Sequence, residues 1–155
     1  EPIKFVCIGG GAKREKLIED VKAEGLDENF LFLPYQDKKD IPYSMTACDV
    51  SLVSVSEGME SLVAPSKLYP ALAAGRPLLV VCPEHGYLNQ LVSQVRCGKT
   101  FQNGLSKEFA NFISLLSKDR TQARRLGAYG RKIMEECFTL EMVSKKYMEL
   151  FKAIS

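Results

Sequence analysis

Residues 57–77, EGMESLVAPSKLYPALAAGRP, join two loop carboxylates, Glu57 and Glu60, to a helix that opens Pro65-Ser66-Lys67. Pro65 suits the first helical turn, where its missing N–H would have no partner anyway. Lys67 does not, because a helix start carries partial positive charge and favours Asp or Glu. An anion resting there removes the conflict, held by free backbone N–H groups, the Ser66 hydroxyl and the Lys67 ammonium. A solvated surface lysine remains the plain alternative for Lys67 taken by itself. Glu57 and Glu60 are of a kind usually solvated in loops. Beside a phosphate site, either one would hydrogen-bond sugar hydroxyls or stabilise positive charge developing at an anomeric carbon.

A second group of candidates lies nearer the start of the chain. Gly9, Gly10 and Gly11, followed by Ala12, sit between a strand-like and a helix-like segment, where backbone can approach a ligand closely. Gly9 and Gly11 supply half of a dinucleotide fingerprint, but its third glycine would fall on Arg14. No acidic residue closes the next strand to meet a ribose, so NAD is not expected. There is no phosphate loop of the G-x-x-x-x-G-K-[ST] kind. A tight turn and a phosphate or sugar contact both remain open for these glycines. Leu33, Pro34 and Tyr35 follow the next strand and offer backbone groups and an apolar wall to a nucleobase, with simple packing the plain reading of Tyr35.

Other chemistries are poorly supplied. The five cysteines are scattered without a C-x-x-C pair, which argues against a disulfide framework or zinc site and for a reducing compartment. His85 is the single histidine, so neither a histidine-based metal site nor a Ser-His-Asp triad is supported. It reads as a polar residue just past a strand end. No metal site is expected. A formal charge of +2 is too small to suggest nucleic acid, although basic residues gather at Lys13-Arg14-Lys16, Arg124-Arg125 and Arg131-Lys132. The longest apolar run, residues 77–83, is far too short to cross a membrane, and no signal peptide is evident. A soluble cytoplasmic protein is expected, with room for work at the inner face of a membrane.

The elements that must position these residues alternate in type. Residues 3–8, 30–33, 49–55, 77–82 and 98–101 read as strands. Residues 13–24, 41–48, the helix opened by Pro65 and ended by Gly75, and residues 86–93 read as helices between them. Residues 77–82 (PLLVVC) form an unbroken apolar run, as in a strand covered on both faces. Three helices finish the chain. One carries Phe109, Phe112, Ile113 and Leu116, one spans roughly residues 120–136, and the last carries Val143, Tyr147, Leu150, Phe151 and Ile154. Both stripes are expected to face a core. Alternation of this kind predicts an α/β fold: a Rossmann-like three-layer αβα arrangement with a mainly parallel sheet. With 155 residues, 46% hydrophobic and 26% charged, the chain is expected to form one domain, residues 1–155. The loops bearing Gly9, Pro34, Glu57 and Pro83 each follow a strand and should collect on one edge, where ligands bind in such folds.

Four segments in order, FVCIGGG, FLFLPY, ACDVSLV and PSKLYPALAAGRPLLV, resemble the carboxy-terminal half of GT-B-fold glycosyltransferases of family 4, nearest the bacterial capsule and exopolysaccharide branch. The resemblance runs over essentially the whole chain. It implies a donor-binding domain, one half of a GT-B fold, from a retaining enzyme that needs no metal or other cofactor. The donor would be a nucleoside-diphosphate sugar, UDP ahead of GDP or ADP. By the same resemblance Gly9 and Gly11 match the glycine loop near the donor, and Leu33 and Pro34 match the segment whose backbone reads the base. Pro65, Ser66, Lys67 and Leu68 match the helix start beneath the diphosphate. The family's E-x7-E glutamates do not transfer, because their positions fall on Leu62 and Pro70; Glu60 and Glu57 lie near enough to substitute. The family's domains begin with a further strand and helix, so the chain is expected to be a fragment whose acceptor, a glycan or lipid-linked sugar, is held by a missing amino-terminal domain or a partner. It is not expected to turn over alone. The rivals are a GT-B nucleotide-sugar epimerase, a small subunit acting with a separate acceptor-binding partner, and a non-enzymatic flavodoxin-like interaction domain.

Overall fold

Strand β1 (Phe5–Ile8) and strand β2 (Phe30–Leu33) pair in parallel, Phe5 opposite Phe30 and Ile8 opposite Leu33. In this computed structural model, residues 3–59 and 65–154 are described. The chain divides into two compact units, residues 1–42 and 43–155, each taken by itself below.

In the first unit, helix α1 (Arg14–Ala23) makes the crossover that a parallel pair requires. Its end is a Schellman turn: Gly25 sits at φ 65°, its N–H donates to the Lys22 carbonyl, and the Leu26 N–H reaches back to Val21. The pleat sends the aromatic residues to one face, where Phe5 and Phe30 stack at 4.9 Å and Phe30 and Phe32 at 5.9 Å. The other face carries Val6, Ile8 and Leu31, all exposed.

The second unit holds a three-stranded parallel sheet ordered β3 (Ser51–Ser54), β4 (Leu78–Val81), β5 (Gly98–Phe101). Its helices are α2 (Ile41–Ala47, whose first residues belong to the first unit), α3 (Leu68–Ala73), α4 (Tyr87–Val95), α5 (Ser106–Lys118), α6 (Arg120–Cys137) and α7 (Leu140–Ile154). The central strand explains its own sequence. Leu78 and Val80 enter a core with Val53, Leu68, Leu72, Leu88, Val92 and Cys97. Leu79 points the other way, into a smaller core with Phe101, Leu116, Ala123 and Leu126. Both faces of β4 are therefore covered, as its unbroken apolar run predicts.

Two expectations need correction. Phe109, Phe112, Ile113 and Leu116 do pack on the smaller core, but α7 has no buried residue, and Tyr147, Leu150, Phe151 and Ile154 are each more than half exposed. Helical periodicity establishes that a face is apolar; it does not supply a surface to cover it. The helix expected to open at Pro65 instead begins at Leu68 and is six residues long. Pro65 lies in the preceding turn, its carbonyl accepting the Leu68 N–H at 3.0 Å. Pro70 then falls in the first helical turn, where its missing N–H costs little.

Candidate functional site

In the first unit the structure brings together the two segments singled out there. The Gly9 N–H donates to the Leu33 carbonyl at 3.1 Å, so the glycine loop and the Leu33-Pro34-Tyr35 segment lie side by side beyond the carboxyl ends of β1 and β2. Gly9 at φ 102° and Gly11 at φ 147° hold backbone that side-chain-bearing residues rarely adopt. Space around Gly11 is open, with no atom within 4 Å of where a Cβ would stand. At Gly9 and Gly10 the neighbour is Tyr35, whose ring lies against the loop while remaining 81% exposed. Its packing is against the loop rather than in a core.

In the second unit the three parallel strands put their carboxyl ends on one edge. Glu57 follows β3 and is exposed, in a turn closed by the Met59 N–H on the Ser56 carbonyl at 3.1 Å, with Gly58 at φ 81°. Glu60 lies outside the described residues. Because α3 runs back antiparallel to the strands, its beginning returns to this same edge. Pro65 is half-buried there, while Ser66 and Lys67 are exposed. Leu68 is fully buried and anchors the turn, so its part is structural. Ser66 and Lys67 thus present their polar ends to solvent at the helix start.

One cluster on this edge was not singled out in the sequence. A cavity of about 170 Å³ is lined by Cys82, Glu84, Asn89, Thr100, Phe101, Gln102 and Leu105, beyond the ends of β4 and β5. Its polar walls bond to one another. The Asn89 amide donates to the Glu84 carbonyl at 2.8 Å, Thr100 donates to Asn89, and the Gln102 amide donates to the Glu84 carboxylate at 3.0 Å. Only the Pro83 loop hinted at this group; Asn89 and Thr100 carry no local signal. Burial raises the Cys82 thiol above its ordinary pKa, which keeps it protonated and a poor nucleophile at neutral pH. His85 is exposed in the same loop. No group of three or more metal-ligating side chains occurs among the described residues, and no helix among them is long and apolar enough to cross a membrane.

The sequence matches the family described as Glycosyl transferases group 1 over residues 1–133. It is similar to the probable glycosyltransferase WbjE of Pseudomonas aeruginosa, 33% identical over 104 residues, which cover 63% of this chain and 24% of that protein. Among solved structures it superposes on a sucrose-phosphate synthase from Thermosynechococcus elongatus with a TM-score of 0.78 at 22% identity, covering 96% of this chain and 38% of that one. It superposes on HepE of Anabaena, solved with UDP-glucose, with a TM-score of 0.77 at 21% identity, covering 97% of this chain and 41% of that one. These likenesses place the fold, Rossmann-like α/β and one half of GT-B. The chain spans about a quarter of the curated relative and about two fifths of the solved ones.

Proposed function

This chain belongs to the Glycosyl transferases group 1 family, and we propose that residues 1–155 are the domain that binds the nucleoside-diphosphate sugar donor of a retaining transferase. The hexosyl group would pass to a glycan or lipid-linked acceptor in polysaccharide synthesis, the acceptor being held by another domain or a partner. Within the first unit, Leu33, Pro34 and Tyr35 are assigned to the base and the open backbone at Gly11 to a phosphate; within the second, Ser66 and Lys67 are assigned to phosphate. Glu57 or Glu60 contacts the sugar. As the bond from the anomeric carbon to the diphosphate oxygen breaks, the electron pair leaves with the diphosphate. An ammonium and a hydroxyl already in place to meet that growing charge lower the barrier. No metal or cofactor is assigned to the reaction. Transfer takes place in the cytoplasm, with peripheral association at the inner membrane face where the acceptor is lipid-linked.

The observation that supports the reading is the 3.1 Å bond from Gly9 to Leu33, which brings the glycine loop and the Leu33-Pro34-Tyr35 segment together. UDP is favoured over GDP and ADP because HepE, a structural neighbour, was solved with UDP-glucose. The test is an NMR titration of this chain with UDP, GDP and ADP. Shifts confined to residues 9–12, 33–35 and 66–68 are expected, with Lys67→Ala weakening UDP about tenfold or more through loss of a charged hydrogen-bond donor. A Lys67→Ala variant that binds UDP as tightly as wild type removes the phosphate role. A second reading, in which the acceptor-binding part is a separate subunit, draws on the exposed apolar stripe of α7.

A further inference from the structure

The cavity beyond the carboxyl ends of β4 and β5 lies wholly within the second unit, and none of Glu57, Ser66 and Lys67 lines it. Its inner wall is apolar and closed, with Phe101 3% and Cys82 4% exposed. Glu84, Gln102 and Leu105 are exposed and form its solvent side, and Asn89 and Thr100 are half-buried between. At about 170 Å³ it falls below the roughly 300–1,000 Å³ that enclose drug-sized ligands. Filled with water it would hold about five or six molecules at their liquid share of volume. Such a space admits one small ring and not a nucleotide.

The hydrogen bonds among the polar residues hold them in place but do not saturate them. Asn89 donates one N–H to the Glu84 carbonyl, and its side-chain oxygen accepts from Thr100. Gln102 donates one N–H to Glu84 Oε2. Each carboxamide therefore keeps a second N–H. Glu84 Oε1 and the Gln102 side-chain oxygen have no partner among the described residues. A corner built only to fix the two loops would close these groups on one another. Here donors and acceptors are left side by side at the opening.

That remaining capacity selects the ligand. No Lys, Arg or His lines the cavity to offset the Glu84 carboxylate, so an anion is repelled. One carboxylate is too few for a metal ion, which gathers several charged or carbonyl oxygens. An ammonium group only donates and would leave both carboxamide N–H groups unmatched. A hydroxyl both donates and accepts, so neighbouring hydroxyls on one ring meet the carboxylate and the carboxamides in alternation. Leu105, 41% exposed, gives the C–H face of such a ring an apolar wall.

We propose that this cavity binds a single neutral sugar ring, with Glu84 and Gln102 on adjacent hydroxyls and Asn89 on a third. The site is distinct from the positions assigned to the donor, and it stands whether or not that assignment does.

The test is an NMR titration of the 155-residue chain with D-glucose, D-galactose and D-mannose, each taken to high millimolar concentration, and separately with inorganic pyrophosphate. At least one sugar should shift the side-chain amide signals of Asn89 and Gln102 and the backbone signals of residues 84, 89, 100 and 102. Pyrophosphate should leave them in place. Glu84→Gln keeps the shape and removes the charge, and should weaken the sugar about tenfold. Gln102→Ala, at an exposed position, should weaken it about fivefold. Unmoved signals from residues 78–81 certify that both variants are folded. The proposal is overturned if no sugar shifts these residues, if the shifts centre on residues 66–68 instead, or if pyrophosphate moves them. Sugar affinity within about twofold of wild type in both variants overturns it as well. Because the sugars are titrated without nucleotide, a failure of UDP to bind removes the donor reading and leaves this one intact.

Discussion

Cys97 has no accessible surface and belongs to the main core of the second unit. Burial pushes its thiol from 9.0 up to about 11, because the thiolate would lose its hydration there. A folded-state pKa above the unfolded one means that the contribution is fully present below the unfolded value and is lost as pH rises through the folded one. Stability should therefore fall between about pH 9 and 11 more steeply in wild type than in Cys97→Ala. The difference is on the order of 2 kcal/mol across that window, read from urea unfolding midpoints at several pH values. A pair of parallel pH profiles contradicts it. Arg96 makes a second case at this scale. It closes α4 at φ 57° and ψ 36°, with its N–H on the Val92 carbonyl at 2.9 Å. Side-chain-bearing residues are disfavoured in that conformation, and glycine is not. Arg96→Gly should gain about 0.5–1 kcal/mol after the entropy of the added freedom is charged against it, visible as a melting point raised by a few degrees. An unchanged or lowered one would show that the arginine side chain contributes more than its backbone costs.

At the scale of elements, α6 packs closely on the turn that ends α3. A Cβ on Gly127 would stand 2.0 Å from the Gly75 carbonyl oxygen, and one on Gly130 would stand 3.1 Å from the Leu72 side chain. Gly127→Ala must push two backbones apart and is expected to cost about 2–3 kcal/mol of stability. Gly104→Ala, at φ 89° with nothing within 4 Å, should lose only the conformational strain, about 1 kcal/mol. Denaturant midpoints that failed to separate the two would contradict the contact. Sequence reading reached these elements unevenly, for physical reasons. Strands β2 and β5 were legible to the residue, and β4 through its unbroken apolar run, because a covered strand must be apolar throughout. Helix α3 came out shorter than expected because backbone turns before Pro70 are not separable by composition from helix. The closeness of Gly9 to Leu33 was legible, since adjacent parallel strands bring their ends together. The packing of Tyr35 against the loop was not, because nothing in a sequence says which way a surface ring will fold. Glu84, Asn89, Thr100 and Gln102 were equally hidden, being joined by strand pairing rather than by proximity along the chain.

At the scale of the whole molecule, apolar side chains are distributed unequally, and α7 is the clearest instance. Leu140 is 85% exposed and Ile154 73%, although the helix carries an amphipathic stripe throughout. The main core is assembled from β3, β4, α3 and α4, with Ile133, Met134 and Phe138 from the region of α6 packed against it. Hydrophobic stabilisation follows the area removed from water, and α7 removes little. Its own i,i+4 contacts, such as the Tyr147 and Phe151 rings at 6.4 Å, are the kind that sustain a helix locally by tenths of a kcal/mol. A chain ending at Thr139 should therefore keep its cooperative unfolding, with a melting point within a few degrees of the full 155 residues. It should also bind less of a dye that reports exposed apolar surface, because the stripe is gone. The second unit's β-strand amides should exchange as slowly as before, since their protection comes from cores that α7 does not enter. A truncated chain that melted early or lost that protection would place α7 inside the cooperative structure and reverse the account of where stability resides.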